Sequence, residues 1–249
     1  MQPTIVIPTY NEAENITKLI PILFNLPIES LKVLIVDDGS PDGTGDIANE
    51  FSMHYPNQIA VFQRGGKLGF GSAYIQGFQR ALAEGAECIV QMDADFSHPP
   101  EKIGELLTAL ESHDVVIGSR YIPDGQLDDD WPLWRKALSA FGNYYAREIL
   151  RLSIKDVTGG FRAWRRETLA SMPLGRVRSN GYSFQIEMIH IAHRLGFRFY
   201  EIPIYFAERN LGESKMSFQI QLEAALRVWQ IRMAYQDLKP LPQLPLQGK

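Results

Sequence analysis

The sequence predicts an α/β protein built on a mostly parallel, doubly wound sheet flanked by helices. Three observations carry that expectation. Short apolar, β-rich runs alternate with amphipathic helical patterns through the first half of the chain. The runs are nearly continuous, as in strands buried on both faces. Polar residues gather where each run ends, and open α/β sheets bind ligands beyond the carboxyl ends of their strands.

In order, "TIVIPTY" reads as a strand and "NEAENITKLIPILFNL" as a helix; "KVLIVDDGS" and "TGDIANEFSMHY" repeat the pair. "IAVFQR" precedes "GSAYIQGFQRALAEG", "CIVQMDAD" precedes "PEKIGELLTALES", and "DVVIGSR" closes the alternation. The strand ends carry Tyr10 and Glu12, Asp37 and Asp38, Arg64, Asp93 and Asp95, and Arg120. Further on, "WRKALSAFGNYYAREILRL" and "SFQIEMIHIAHRLG" read as helices. "FRFYEIPIYFAER" reads as a strand whose Pro203 marks an edge or a bulge. The final helix, "SFQIQLEAALRVWQIRMAYQDL", has apolar residues at Phe218, Leu222, Ala225, Leu226, Trp229 and Met233, a stripe expected to pack on the sheet. One domain is expected over 1–238, with a loose proline-rich tail over 239–249.

Composition narrows the function. The chain has 249 residues, 22% of them charged and 45% hydrophobic, with net charge -4. That is ordinary for a soluble globular protein and argues against a nucleic-acid partner. The one cysteine, Cys88, excludes an internal disulfide and a cysteine-cluster zinc site, which fits a reducing, cytoplasmic setting. No stretch approaches the ~20 apolar residues of a membrane span, so any membrane contact is expected to be peripheral or through an anchored partner.

The segment "VQMDADFSHPP" (90–100) sets the chemical question. Two carboxylates, Asp93 and Asp95, follow a run that reads as a buried strand. Unpaired, they would repel and be costly to desolvate. Extended backbone points residues i and i+2 the same way, so both can reach one cation. Oxygen ligands suit Mg²⁺ or Mn²⁺, which bind one or two carboxylates plus substrate phosphates. In "IVDDGSPDGT" (35–44), an acid after the second strand can accept hydrogen bonds from a nucleoside, while Asp42 or Thr44 can cap the next helix. "QRGGKLGFGSAY" (63–74) is neither a P-loop nor a dinucleotide fingerprint; it reads as a flexible loop with Arg64 or Lys67 near phosphates and Ser72 as a possible helix cap. Arg120, Arg135, Arg162, Arg209 and Lys215 are further candidates for phosphate recognition, whereas Arg165 and Arg166 read as solvated. His98 is a candidate supporting residue beside the carboxylates; His190 and His193 read as packing or surface residues, and no Ser-His-Asp or Cys-His set is evident.

Taken together, "IPTYNEAENI", "VDDGSPDGT", "KLGFGSAYIQGF", "MDADFSHPP", "VIGSRY", "WRKALSAFGN", "DVTGGFR", "GYSFQIEM" and "GESKMS" resemble the family 2 inverting glycosyltransferases of the GT-A fold. Within these the sequence is most similar to dolichol-phosphate (polyprenol-phosphate) mannose synthases. The resemblance covers roughly residues 4 to 218. It implies transfer of mannose from the nucleotide sugar GDP-mannose to a polyprenyl phosphate. It implies that Pro8, Tyr10, Glu12, Val36 and Asp38 hold the nucleotide, and that Asp93, Ala94 and Asp95 surround the diphosphate and its metal. Arg120, Arg135 and Ser139 would meet the lipid phosphate, and Arg209 and Lys215 would close over the donor from a loop. Asp93, Asp95, Arg120 and Arg135 are thus the implied catalytic set.

Three departures from the pattern shape the expectation. Ser97 stands where some relatives carry a metal-binding glutamine, so the expected metal shell is Asp93, Asp95 and Ser97 or water. "YIPDGQLDDDW" is more acidic than its counterpart, with Asp128, Asp129 and Asp130 beside the acceptor arginine. Many relatives carry C-terminal membrane helices, and this sequence has none. The alternative is the same fold transferring a hexose from another nucleotide sugar to a hydroxyl, with the acidic triplet supplying a base. Two rivals from other classes are an aspartate-nucleophile phosphotransferase and a non-catalytic sugar-nucleotide binder.

Overall fold

The computed structural model describes residues 1–207 and 218–242, with backbone alone over 218–224. The expected strands form as β1 (Pro3–Thr9), β2 (Lys32–Asp37), β3 (Ile59–Gln63), β4 (Cys88–Gln91) and β5 (Val115–Ser119). Helices α1 (Ala13–Phe24), α2 (Thr44–His54), α3 (Phe70–Ala83) and α4 (Ile103–Leu110) connect them. The second half adds α5 (Leu133–Leu150), a strand β7 (Arg162–Arg165), α6 (Arg166–Ser171), α7 (Tyr182–Arg194), β8 (Phe199–Pro203) and α8 (Phe218–Ala234). A separate two-stranded sheet pairs β6 (Gln126–Leu127) with β9 (Tyr205–Phe206).

The main sheet has seven strands in the order β3-β2-β1-β4-β7-β5-β8. All pair in parallel except β7, which runs antiparallel between β4 and β5. The chain moves outward from β1 to β2 and β3, then returns to place β4 on the other side of β1. That reversal opens a crevice at the carboxyl ends of β1 and β4, the switch point at which such sheets bind ligands. Alternation along each strand feeds two cores. Val6 and Leu34 pack beneath α3 and α7; Ile5, Ile7, Val33 and Ile35 pack beneath α1, α2 and α4.

The structure corrects several sequence expectations. Strand β7 was not anticipated, because its four residues include two arginines. Arg162 is fully buried and donates to the carbonyls of Gln185 and Val157 at 2.9 and 3.0 Å. Arg165 and Arg166 are not solvated. Arg165 donates to the carbonyls of Leu110, Glu111 and His113, and Arg166 to those of Leu82 and Ala86. Both satisfy the bare C-terminal carbonyls of α4 and α3. The described start of the tail is not loose: the Leu241 amide donates to Leu195 O at 2.9 Å, and Pro240 lies against Gly196. Among the described side chains of α8, Val228 and Ile231 are buried, as is Tyr235 just past its end, whereas Leu226, Trp229 and Met233 are exposed; those of Phe218 and Leu222 lie outside the described residues. Pro203 ends the edge strand β8, as expected.

Candidate active site

The strand expected to run through Asp95 stops at Gln91. The chain then bends, with Phe96 at φ 62°, an uncommon conformation for a bulky residue. The carboxylates are therefore set by side-chain partners and not by strand alternation. Asp93 is half-buried, and its Oδ1 accepts the Tyr74 hydroxyl of α3 at 2.7 Å. Burial, then the nearby Asp93 charge, push the Tyr74 phenol well above its usual range, so it stays a donor. The Asp93 amide donates to His98 Nδ1 at 3.0 Å, which leaves the proton of a neutral ring on Nε2. Asp95 is buried, and its Oδ1 accepts both the amide and the hydroxyl of Ser97, at 3.1 and 2.6 Å. Ser97 is fully buried with its hydroxyl proton committed to Asp95. It orients that carboxylate, while its oxygen keeps a lone pair through which it would join a metal shell.

Among the described residues no group of three or more His, Cys, Asp or Glu converges. A cation held by Asp93 and Asp95 would complete its shell from water and a bound diphosphate. That donor set suits Mg²⁺ or Mn²⁺ and not a closed zinc site.

Across the switch point, the β1 and β2 ends are tied together. Thr9 and Ser40 hydroxyls donate to Asp37 Oδ1 at 3.0 and 2.5 Å, so Asp37 is internal. Asp42 accepts the amides of Ala13 and Thr44, and Thr44 Oγ1 accepts the Glu12 amide. Asp42 and Thr44 therefore join two loops, and Gly43, not a capping side chain, precedes α2. Pro8, Tyr10 and Glu12 are half-buried at this end, and a cavity of about 330 Å³ opens beside Glu12, Asn15 and Asp42. Asp38 is buried, ion-paired with Arg64, and accepts the Gly69 amide at 3.2 Å. Arg64 also donates to Ser72 Oγ at 2.6 Å. Arg64 is thus committed to the loop's own fold, and Ser72 bonds the carbonyls of Leu68 and Gly69 instead of capping α3. Lys67 reaches the site instead, 3.9 Å above the Tyr10 ring. Val36 and Ala94 have buried side chains within the two cores, so only their backbones can serve a ligand. Gly71 is required by close approach: a Cβ there would lie 2.5 Å from Ser179 O.

The basic end of the crevice lies around β5 and α5. Arg120 is buried and closes its fork on Asp156, with Nε and Nη2 at 2.7 and 2.8 Å from the two carboxylate oxygens. Burial opposes its charge, but Asp156 outweighs burial and holds Arg120 above the usual arginine range. Its charge is therefore already balanced, a difference from the strand-end arginine expected. Arg135 sits in the first turn of α5, 3.7 Å over the Trp131 ring. One turn on, Ser139 Oγ lies 2.7 Å from the Tyr121 hydroxyl. Phe206 links the two ends: His98, Trp131 and Arg120 all pack on its ring, at 5.8, 5.9 and 5.0 Å. Arg209 and Lys215 lie outside the described residues.

Tyr74, Tyr121, Trp131, Asp156 and Phe206 were not singled out from sequence. Tyr74 and Asp156 lie inside quoted motifs, but their partners are 19 and 36 residues away. His98 Nδ1 takes a backbone amide, which supports the role beside the carboxylates expected of it. Gly160 makes room for it, since a Cβ there would lie 3.3 Å from the imidazole. His190 is buried, as expected for a packing residue.

Comparison with known proteins gives a consistent result. A family model described as Glycosyl transferase family 2 matches residues 4–172. A polyprenol monophosphomannose synthase of Mycolicibacterium smegmatis is 44% identical, over 92% of this chain and 86% of its own length. An undecaprenyl-phosphate mannosyltransferase of Micrococcus luteus is also 44% identical, over 96% of this chain and 98% of its length. Among solved structures, a mannosyltransferase from Pyrobaculum calidifontis in complex with GDP-Man and Mn²⁺ matches with TM-score 0.61 at 19% identity, over 97% of this chain and 66% of that one. A glucosyl-3-phosphoglycerate synthase from Mycobacterium tuberculosis with Mn²⁺, UDP and phosphoglyceric acid matches with TM-score 0.64 at 18% identity, over 94% of this chain and 78% of that one. At those identities the structures speak for the GT-A fold alone.

Proposed function

The chain belongs to glycosyl transferase family 2, and on that premise we propose that this GT-A enzyme transfers mannose from GDP-mannose to a polyprenyl phosphate of the dolichyl type, with inversion and with Mg²⁺ or Mn²⁺ bound. The observation that carries the reading is the 44% identity to two enzymes named for such lipid phosphates, extending over 86% and 98% of their lengths.

In this reading Pro8, Tyr10, Glu12 and Asp38, with the Val36 backbone, hold the nucleotide, and Lys67 closes over Tyr10. Asp93 and Asp95, with Ser97 or water and the Ala94 backbone beside them, would hold the cation. When bound, that cation neutralises the departing GDP. Arg135 and Ser139 receive the acceptor phosphate. Arg120, locked on Asp156, orders the wall behind them, and Arg209 and Lys215 cover the donor. A phosphate acceptor is anionic near neutral pH. Its oxygen forms the new bond to C1 as the bond from C1 to the GDP oxygen breaks, and the electron pair leaves on GDP. No side chain has to remove a proton, which accords with the absence of a recognisable base triad. One catalytic domain spans 1–238 and continues into the residues packed on α7. Because the acceptor is a membrane lipid, the enzyme works as a cytoplasmic protein held peripherally on a membrane face. Among the described residues no helix is long and apolar enough to cross a membrane.

Asp128, Asp129 and Asp130 just before α5 favour one second reading, transfer to a hydroxyl with a carboxylate as base. A transfer assay separates the two. Purified protein with Mg²⁺ or Mn²⁺ and a short polyprenyl phosphate is given GDP-mannose, GDP-glucose or UDP-glucose. Lipid-linked mannose from GDP-mannose alone is the expected outcome. Nucleotide release without lipid product would move the acceptor to a hydroxyl or water.

A further inference from the structure

One aromatic ring stands between the two halves of the crevice. Phe206 is half-buried on β9, and side chains from three separate segments meet its ring. His98, from the loop after β4, packs edge-on with centroids 5.8 Å apart. Trp131, just before α5, does so at 5.9 Å with the ring planes at 89°. The Arg120 guanidinium, at the end of β5, lies 5.0 Å from the ring centre. Edge and cation contacts are those that an aromatic ring's charge distribution favours. The backbone pins the same place. β9 pairs in parallel with β6, with Phe206 beside Leu127. Phe206 O accepts the Asp128 amide at 3.0 Å, and Asp128 O accepts the Trp131 amide at 3.2 Å. Ser119 O, next to Arg120, accepts the Ile204 amide at 3.1 Å.

Each contact leads on to a residue of the site. His98 Nδ1 accepts the Asp93 amide at 3.0 Å and so belongs to the carboxylate side. Trp131 carries Arg135 3.7 Å above its ring and so belongs to the acceptor side. Trp131 is 8% exposed, and among the described residues its Nε1–H has no hydrogen-bond partner. Packing therefore sets the heading of the indole, and with it that of Arg135. Arg120 is already closed on Asp156, which gives the aim of Arg135 more weight at this end.

We propose that Phe206 is a positioning residue for the transfer step. Its ring is the spacer between the carboxylate side and Arg135, and it sets where the acceptor phosphate stands relative to the sugar. This role rests on the lipid-phosphate reading of the acceptor and adds a residue to it. In that reaction a phosphate oxygen bonds to C1 as the bond from C1 to the GDP oxygen breaks, and the electron pair leaves on GDP. Attack requires the oxygen about 3–3.5 Å from C1 and in line with the departing bond, and a misplacement of about 1 Å can cost on the order of 100-fold. An aliphatic side chain at 206 fills part of the volume but offers Arg120 no ring face and Trp131 no matching partner. Trp131 and Arg135 would then settle elsewhere, while the nucleotide end, which Phe206 does not touch, would stay as it is.

The experiment uses the full chain with Mn²⁺, GDP-mannose and a short polyprenyl phosphate. Phe206→Leu and Trp131→Leu are each expected to lower kcat at least about tenfold, with GDP-mannose affinity, measured by calorimetry without acceptor, within about threefold of wild type. GDP released per lipid product should rise, because water then competes with a misplaced phosphate. The double variant should lose no more than about twofold beyond the worse single variant, since both residues act along one path. Trp131→Phe keeps an aromatic face beneath Arg135 and should recover at least about a third of the wild-type kcat. Retained donor binding shows that a variant is folded. An unchanged kcat in Phe206→Leu overturns the proposal. So do losses that multiply in the double variant, or a donor affinity that falls in step with kcat. A wild type that makes no lipid product overturns the acceptor reading and this role together, whereas a productive wild type with an indifferent Phe206→Leu overturns the role alone.

Discussion

The Tyr74 hydroxyl, carried on α3, donates to Asp93 Oδ1 at the end of β4 across 2.7 Å. One buried phenol thus fixes a carboxylate in the crevice, while Ser97 fixes the other, Asp95. Tyr74→Phe removes a charge-assisted donor worth about 1.5 kcal/mol, so the Mn²⁺ concentration for half-maximal transfer should rise roughly tenfold with kcat at saturating metal little changed. A metal titration of initial rates checks this; an unchanged requirement removes Tyr74 from the site's support. Asp95→Ala should abolish metal-dependent transfer, and full activity would sink the metal assignment.

Arg135→Ala should raise the acceptor KM about tenfold, the cost of one charge-assisted phosphate contact, and leave the donor KM within about twofold. Steady-state kinetics with each substrate varied in turn reads the split. An equal effect on both substrates would place Arg135 outside the acceptor end.

Asp156 neutralises Arg120 and also accepts the amides of Arg120 and Gly159. Asp156→Ala leaves a buried guanidinium uncompensated and should destabilise the fold by about 3–5 kcal/mol. Urea unfolding measures it, and a loss under about 1 kcal/mol would mean that the site readily admits water.

His190 is buried on α7, and burial, followed by His193, Arg194 and Arg232, pushes its pKa from the ordinary 6.5 down to about 4. Between those values the unfolded chain binds a proton that the folded chain refuses. Its stabilising effect is therefore complete above pH 6.5 and is lost as pH falls toward 4. His190→Leu should remove about 2 kcal/mol of the stability difference between pH 7 and pH 5. Denaturation curves at both pH values test this, and identical pH dependence in the variant would refute it.

Much of the α/β core was legible because buried parallel strands are written as local apolar runs: β1 to β5 and α1 to α4 fall within the quoted segments to within one residue at each start. The short strand β7 was not legible. Its arginines are satisfied by carbonyls at the ends of α3 and α4 and beneath the site, partners remote in sequence. The direction of α8 was misread for a related reason. The helix is apolar on two sides, so periodicity shows that stripes exist and cannot say which one the core takes.

By itself, the sequence determined the carboxylate pair, the order of β1 to β5 and α1 to α4, and through its motifs the family. Those features are local, read from residue type and spacing. Only the tertiary structure decided which charges remain at the crevice. Arg64, Arg120 and Arg162 all read as ligand-binding cations, yet one closes on Asp38, one on Asp156 and one on buried carbonyls. The reason is that a charge buried by folding must be paired or hydrogen-bonded, and its partner is set by which segments the fold brings together.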